Sequence, residues 1–445
     1  MKALSSLRLI VISLIFAGTC LAFTPVELLD AVKRRDHKAI ELIIKSKADV
    51  NVTQPDGASA LAWAIFLDDV KAAEMLLTAG AKVNTADEYG ETPLTLASNN
   101  GNAALVKKLV EAGANVNAAR WDGSTALMLA ANSGCVEAVN LLIEKGANVN
   151  AVEEKKKQSA LMWAVAEGHS DVVKTLISHG ADVKAVSKSG FTPLIFAVVK
   201  NDAKSVKYLL AAGVDPNSKI ADGTPAIIIA AANRSSEAAL ALVESSAEVK
   251  CADGRGYTPL HYAAQTGDVE LVKKLIASKA DANARNAKAA AGANPFRPVF
   301  GELTPLHLAA RANQLEIMKL LVAAGSDPKL KGEQGITLLM QAAASSNIDV
   351  VKFAFDLDPD VKAVTEKGLT VIHATVTGVG LGVEQTEICK VIRFLAEKGA
   401  PLDERNAAGR TPIDVADFLP LDLAVDLLTD LITKSGSKPK TPTKR

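Results

Sequence analysis

Six histidines and four cysteines are the side chains of this 445-residue chain best suited to metal binding or nucleophilic chemistry. Their spacing argues against both. Cys20, Cys135, Cys251 and Cys389 lie more than 100 residues apart, which fits neither a zinc motif nor a redox pair. There is no C-x-x-C-H, H-E-x-x-H, P-loop or G-x-S-x-G. "GVGLG" at Gly378–Gly382 has the composition of a phosphate loop, but it follows no strand of a βαβ unit. It reads as a short insertion between two helices, near residues 378–386. His261, His307 and His373 occupy the same place in similar segments, so they are one structural slot used three times. His169 sits in "EGHSDVV", and His179 precedes Gly180, where a basic group suits a helix C-terminus. Cys389 is expected inside a helix face as a small buried hydrophobe, and Cys135 opens a helix without a base partner. No catalytic, cofactor-binding or metal-binding residue is assigned.

The elements around these residues repeat. "GETPLTLASNNGNAALVKKLVEAGANVN" starts at Gly90, "GSTALMLAANSGCVEAVNLLIEKGANVN" at Gly123 and "GYTPLHYAAQTGDVELVKKLIASKADAN" at Gly256. The closing asparagine recurs at Asn51, Asn84, Asn117 and Asn150, each 33 residues on, and later units close at Lys184, Asn217, Lys250, Asn283, Lys329, Lys362 and Asp403. In the unit from Gly256, Thr258 can cap a helix. Pro259 suits its first turn, and Leu260, Ala263 and Ala264 keep helical spacing. A second helix is expected from Val269, with Leu271, Val272, Leu275 and Ile276 as its apolar stripe. A glycine such as Gly80, Gly113, Gly146, Gly180, Gly213, Gly325 or Gly399 then ends the second helix. A unit this short cannot bury its own apolar face, so neighbours must stack.

The T-P-L-H-x-A-A runs at Thr258–Ala264 and Thr304–Ala310, with the G-A-(N/D)-V runs from Gly113, Gly146 and Gly180, resemble the ankyrin repeat family. About twelve units fit between Thr24 and Thr433. The resemblance implies an all-α solenoid of helix–turn–helix units with protruding β-turn loops, with atypical end repeats as caps.

Composition agrees with thin, closely packed helices: 49% hydrophobic residues but only 4% aromatic. Lys2 and Arg8, the apolar run Leu9–Phe16 and the small Ala22 have the order of a secretory signal over residues 1–22. An uncleaved anchor is the alternative, although the run is short for a membrane span. The array is placed at 23–433, and the basic residues 434–445 read as a disordered tail. Between them stand 43 basic and 50 acidic residues. That balance argues against nucleic acid as the main ligand. After signal removal no stable membrane span is expected, and the solenoid is expected to be monomeric.

The resemblance implies a protein partner, bound through loop tips and the concave face of the first helices. The position after the histidine slot carries Trp63, Leu96, Leu129, Trp163, Phe196, Ile228, Tyr262 and Leu308. Trp63, Trp163, Phe196 and Tyr262 are candidate anchors there, with packing between repeats as the competing role. Tyr89, Trp121 and Arg255 are candidates at the tips. The insertion Ala284–Glu302 adds Phe296 and Phe300. The expectation is a non-enzymatic interaction scaffold in the periplasm or outside the cell. A host-directed effector and an accessory subunit of a periplasmic enzyme are the alternatives.

Overall fold

The computed structural model describes residues 25–288, 301–378 and 384–436. Residues 1–24, where a leader over 1–22 was expected, the centre of the long insertion with Phe296 and Phe300, most of the short insertion and the residues beyond 436 lie outside the described residues. The described residues form twelve helix pairs and no named strand. The chain divides into two compact units, residues 1–193 and 194–445.

The first unit carries α1 (Pro25–Lys33), α2 (His37–Lys45), α3 (Ala60–Phe66), α4 (Val70–Thr78) and α5 (Pro93–Asn99). It continues through α6 (Ala103–Glu111), α7 (Ala126–Ser133), α8 (Val136–Glu144), α9 (Ala160–Glu167) and α10 (Ser170–Ser178). At the division stands α11 (Pro193–Lys200). The second unit continues with α12 (Ala203–Ala211), α13 (Ala226–Ala232), α14 (Ser236–Glu244), α15 (Pro259–Thr266) and α16 (Val269–Ala277). Then come α17 (Pro305–Arg311), α18 (Leu315–Ala323), α19 (Leu338–Ala343) and α20 (Ile348–Leu357). Last are α21 (Val371–Thr377), α22 (Gln385–Glu397), α23 (Pro412–Phe418) and α24 (Asp422–Lys434).

Most of these helices have 10 residues or fewer, below the length at which an isolated helix is even marginally stable. Packing must supply the difference. In the first unit α7 lies between α5 and α9 and against its own partner α8. Every residue from Ala126 to Ala131 is consequently buried. Second helices bury one stripe only: Leu271, Val272 and Leu275 on α16, each worth about 1.5–3 kcal/mol of transfer free energy.

Polar groups fix the spacing. Thr258 accepts the His261 N–H at the start of α15, and the His261 ring returns a contact to the Thr258 N–H. Thr304/His307 and Thr370/His373 repeat this box, and Thr92/Thr95 builds it without a histidine. The recurrent asparagine has an equally definite role. Asn117 accepts the Asn148 N–H at 2.8 Å and donates through Nδ2 to the Gly146 carbonyl at 3.0 Å. Asn84, Asn150 and Asn283 tie their own next repeats in the same two-bond way. Gly113 and its equivalents after the second helices hold φ near +90°, with open space where a Cβ would lie. Backbone conformation, not crowding, requires glycine there.

One cysteine differs from expectation. Cys389 is half-buried; its neighbour Ile388 fills the core position. The inward face of α22 is therefore set one residue earlier than assumed.

Candidate functional site: first-helix face and loop tips

Between the second helix of one repeat and the first of the next, the chain makes a protruding loop. Adjacent tips are joined by main-chain hydrogen bonds. In the first unit Glu88 N–H donates to Asp56 O, Trp121 to Tyr89 O, Glu154 to Asp122 O and Lys188 to Lys156 O, at 2.8–3.0 Å. In the second, Ala287 donates to Arg255 O, Glu366 to Gln334 O and Ala407 to Lys367 O. Isolated bridges such as Ala119 with Thr125 close the loop bases. The tips are thus held in a row, although their side chains vary freely.

Tyr89 and Trp121 stand on neighbouring tips and are 57% and 60% exposed. Among the described residues they are the large aromatic side chains that the tips show to solvent. Trp121 is not bare on both faces: the Lys155 ammonium lies 4.1 Å from its ring centroid. The tip around Lys155 is ordered by Glu153, a buried carboxylate that accepts the N–H groups of Lys155, Lys156 and Gln158. Charge-assisted bonds of this kind offset its desolvation.

The first-helix row divides by burial. Trp63, Trp163 and Phe196 are half-buried, whereas Leu129 and Leu308 are buried. Tyr262 is only 9% exposed. Its hydroxyl donates to Asp253 Oδ2 at 2.7 Å and accepts from Arg255 at 2.6 Å, while Arg255 also lies over the Tyr257 ring. Burial and the adjacent Asp253 carboxylate push the Tyr262 hydroxyl up to about 12. Burial acts against ionisation of Asp253, but the Tyr262 hydroxyl and the N–H groups of Tyr257 and Arg255 outweigh it and lower its pKa. Tyr262 is therefore held in a polar cluster with Asp253, while Arg255 reaches it from an exposed place on the tip. The row also needs a correction of register. Pro225 caps α13, so Ile228 fills the buried histidine slot and Ile229 takes the half-buried row position.

Trp63 stands in the most developed surroundings. Its Nε1 donates to Gln54 Oε1 at 2.7 Å, and Phe66 meets the ring edge-to-face at 5.5 Å. Lys33 Nζ lies 4.5 Å from the ring centroid. Phe66, 59% exposed, lies outside the first-helix row because it falls three residues further on. Its signal was only partial: the equivalent positions hold Asn99, Asn132, Gln265 and Arg311, but also Ala166, Val199 and Ala232. An open cleft beside Trp63 is lined by residues of the second and third repeats, including Asp56, Asp87, Glu91 and Leu96. Its space of about 170 Å³ falls short of the roughly 300–1,000 Å³ of small-molecule sites, and suits one side chain.

The histidines all have structural partners. His37 Nε2 meets the Asp69 carboxylate at 2.8 Å, His169 Nε2 the Asn132 carbonyl at 2.9 Å and His179 Nδ1 the Thr175 carbonyl at 2.9 Å. No group of His, Cys, Asp or Glu with metal-holding geometry occurs among the described residues. No described helix is long and apolar enough to cross a membrane.

A family model of ankyrin repeats (3 copies) matches residues 28–120, 73–153, 98–187, 151–220, 194–286, 289–363 and 306–406. The chain belongs to the ankyrin repeat family. Ankyrin repeats indicate a protein–protein interaction scaffold. No curated protein matches the chain.

Proposed function

We propose that the chain is an exported, non-enzymatic scaffold that binds a protein partner through the tips and first-helix face of its first unit. The observation that carries this reading is the exposure of Tyr89 and Trp121 on adjacent, hydrogen-bonded tips. Large aromatic rings held on a rigid frame lose little entropy on binding and are favoured anchors. Trp63 and Phe66 extend the same surface chemistry to the first-helix face. Phe196, Trp163 and the insertion with Phe296 and Phe300 are secondary candidates. Export to the periplasm or beyond rests on the leader sequence, Lys2 to Ala22.

Affinity capture from exported extract tests the reading, with residues 23–445 as bait and a Tyr89→Ala/Trp121→Ala double variant in parallel. The expected outcome is a protein retained by the first bait and lost from the second, both folded by circular dichroism. Equal retention by both would overturn the tip assignment. Intact-mass analysis of the protein from its native cells tests export: a new N-terminus near Phe23 is expected, and a chain retained inside the cell from Met1 would overturn it.

A further inference from the structure

We infer that the cleft beside Trp63 receives a basic side chain, a lysine or arginine of the protein partner; this rests on the scaffold reading and specifies its chemistry. The cleft combines aromatic walls with an acidic rim. Trp63 and Phe66 form the walls, and Asp56 and Asp87 come from adjacent tips. The tips are pinned together by the Glu88 N–H to Asp56 carbonyl bond at 2.8 Å. Gly57 permits the approach: a Cβ there would lie 3.0 Å from Asp87 Cα.

The carboxylates differ in their commitments. Glu91 is paired with Arg120. Asp56 uses Oδ1 to accept the Ala58 N–H, and Asp87 uses Oδ1 for the N–H groups of Tyr89 and Glu91. Their Oδ2 atoms have no partner among the described residues. An apolar side chain entering the cleft would leave that negative charge uncompensated, whereas a cation complements both rim and ring faces.

Two arrangements within the chain show the same recognition. Lys33 already places an ammonium 4.5 Å from the Trp63 ring centroid. In the repeat of Tyr262, Asp253 occupies the turn position of Asp87, and its Oδ2 lies 3.6 Å from Arg255, whose guanidinium also covers an aromatic ring. In the third repeat Tyr89 stands at the Arg255 position, so that position offers Asp87 no cation.

The test uses the full chain and four pools of immobilised ten-residue peptides, each with a central arginine, lysine, citrulline or norleucine and random flanks. Retention on the arginine and lysine pools is expected to exceed that on the other two by at least 10-fold. The Asp56→Asn/Asp87→Asn variant should abolish the difference. Its fold is protected because asparagine makes the turn bonds of Asp87 at Asn406 and the single two-residue bond of Asp56 at Asn115. Lys33→Ala should increase retention severalfold by clearing the Trp63 face. Equal retention on all pools, no retention on any, or discrimination that survives Asp56→Asn/Asp87→Asn would overturn the inference. A native partner captured equally by wild type and by that variant would also overturn it, while leaving the scaffold reading intact. Failure of the scaffold reading is read separately, from the Tyr89→Ala/Trp121→Ala capture.

Discussion

The Nδ1 atom of His261 accepts the main-chain N–H of Thr258 at 3.1 Å, while Nε2 donates to the Leu303 carbonyl at 2.9 Å in the next repeat. Only the neutral imidazole can do both. His373 has the same arrangement between Thr370 and Arg410. Burial lowers His261 and His307 to about 4 and also lowers His373.

A pH dependence follows with a definite sign. The unfolded chain binds protons at these histidines near pH 6.5, while the folded chain resists until about pH 4. Stability is therefore full above pH 6.5 and falls as pH drops through that window. The loss is on the order of 3 kcal/mol for each of His261 and His307 at its limit. All three histidines lie in the second unit. Hydrogen exchange followed by mass spectrometry at pH 7 and pH 4.5, corrected for intrinsic exchange, should show α15, α17 and α21 losing protection before α3 to α9. Uniform loss, or loss beginning in the first unit, would contradict this.

Asn117→Ala removes two inter-repeat hydrogen bonds in one substitution. The expected cost is about 1–2 kcal/mol, because both partners sit near solvent and regain water. Urea denaturation followed by circular dichroism should show an earlier transition. An unchanged midpoint would mean that the recurrent asparagine contributes little to stacking.

Gly57→Ala and Gly113→Ala separate conformation from crowding. Both glycines have φ of +89°, but only Gly57 faces a neighbouring backbone. Gly113→Ala should cost roughly 1–2 kcal/mol from the left-handed conformation alone. Gly57→Ala should cost more and displace the Asp56 and Asp87 tips. Equal melting temperatures for the two variants would refute the close-approach argument.

Tyr262→Phe tests the division of the row into packing and open surface. It removes the hydroxyl between Asp253 and Arg255, at a cost of about 1–2 kcal/mol. Partner capture should be unchanged once folding is verified. Loss of capture without loss of stability would return Tyr262 to the binding surface.

The repeat was legible because stacking makes each unit satisfy the same constraints. Thr258, Pro259, Gly113 and the helical apolar stripes each announce a local conformation. The shifted register at Ile228 was harder. Thr224–Pro225 matches the usual pair in letters, but Gly223 and the Lys219–Pro225 bridge place Pro225 itself at the helix cap. Cys389 was misplaced for a similar reason: a one-residue step on α22 rotates a side chain by about 100°.

The sequence by itself determined the repeating helix pairs, their caps and their place in the ankyrin repeat family, because these depend on neighbours within about 33 residues. Only the tertiary structure decided which aromatics pack and which remain open. Tyr262 and Tyr89 are the same residue type, yet one is enclosed by Asp253 and Arg255 and the other is displayed on a tip. The same holds for Asp56 and Asp87, whose carboxylates meet at one cleft because adjacent repeats bring their tips together. Local spacing fixes backbone conformation, whereas exposure and charge complementarity are properties of surfaces assembled from different repeats.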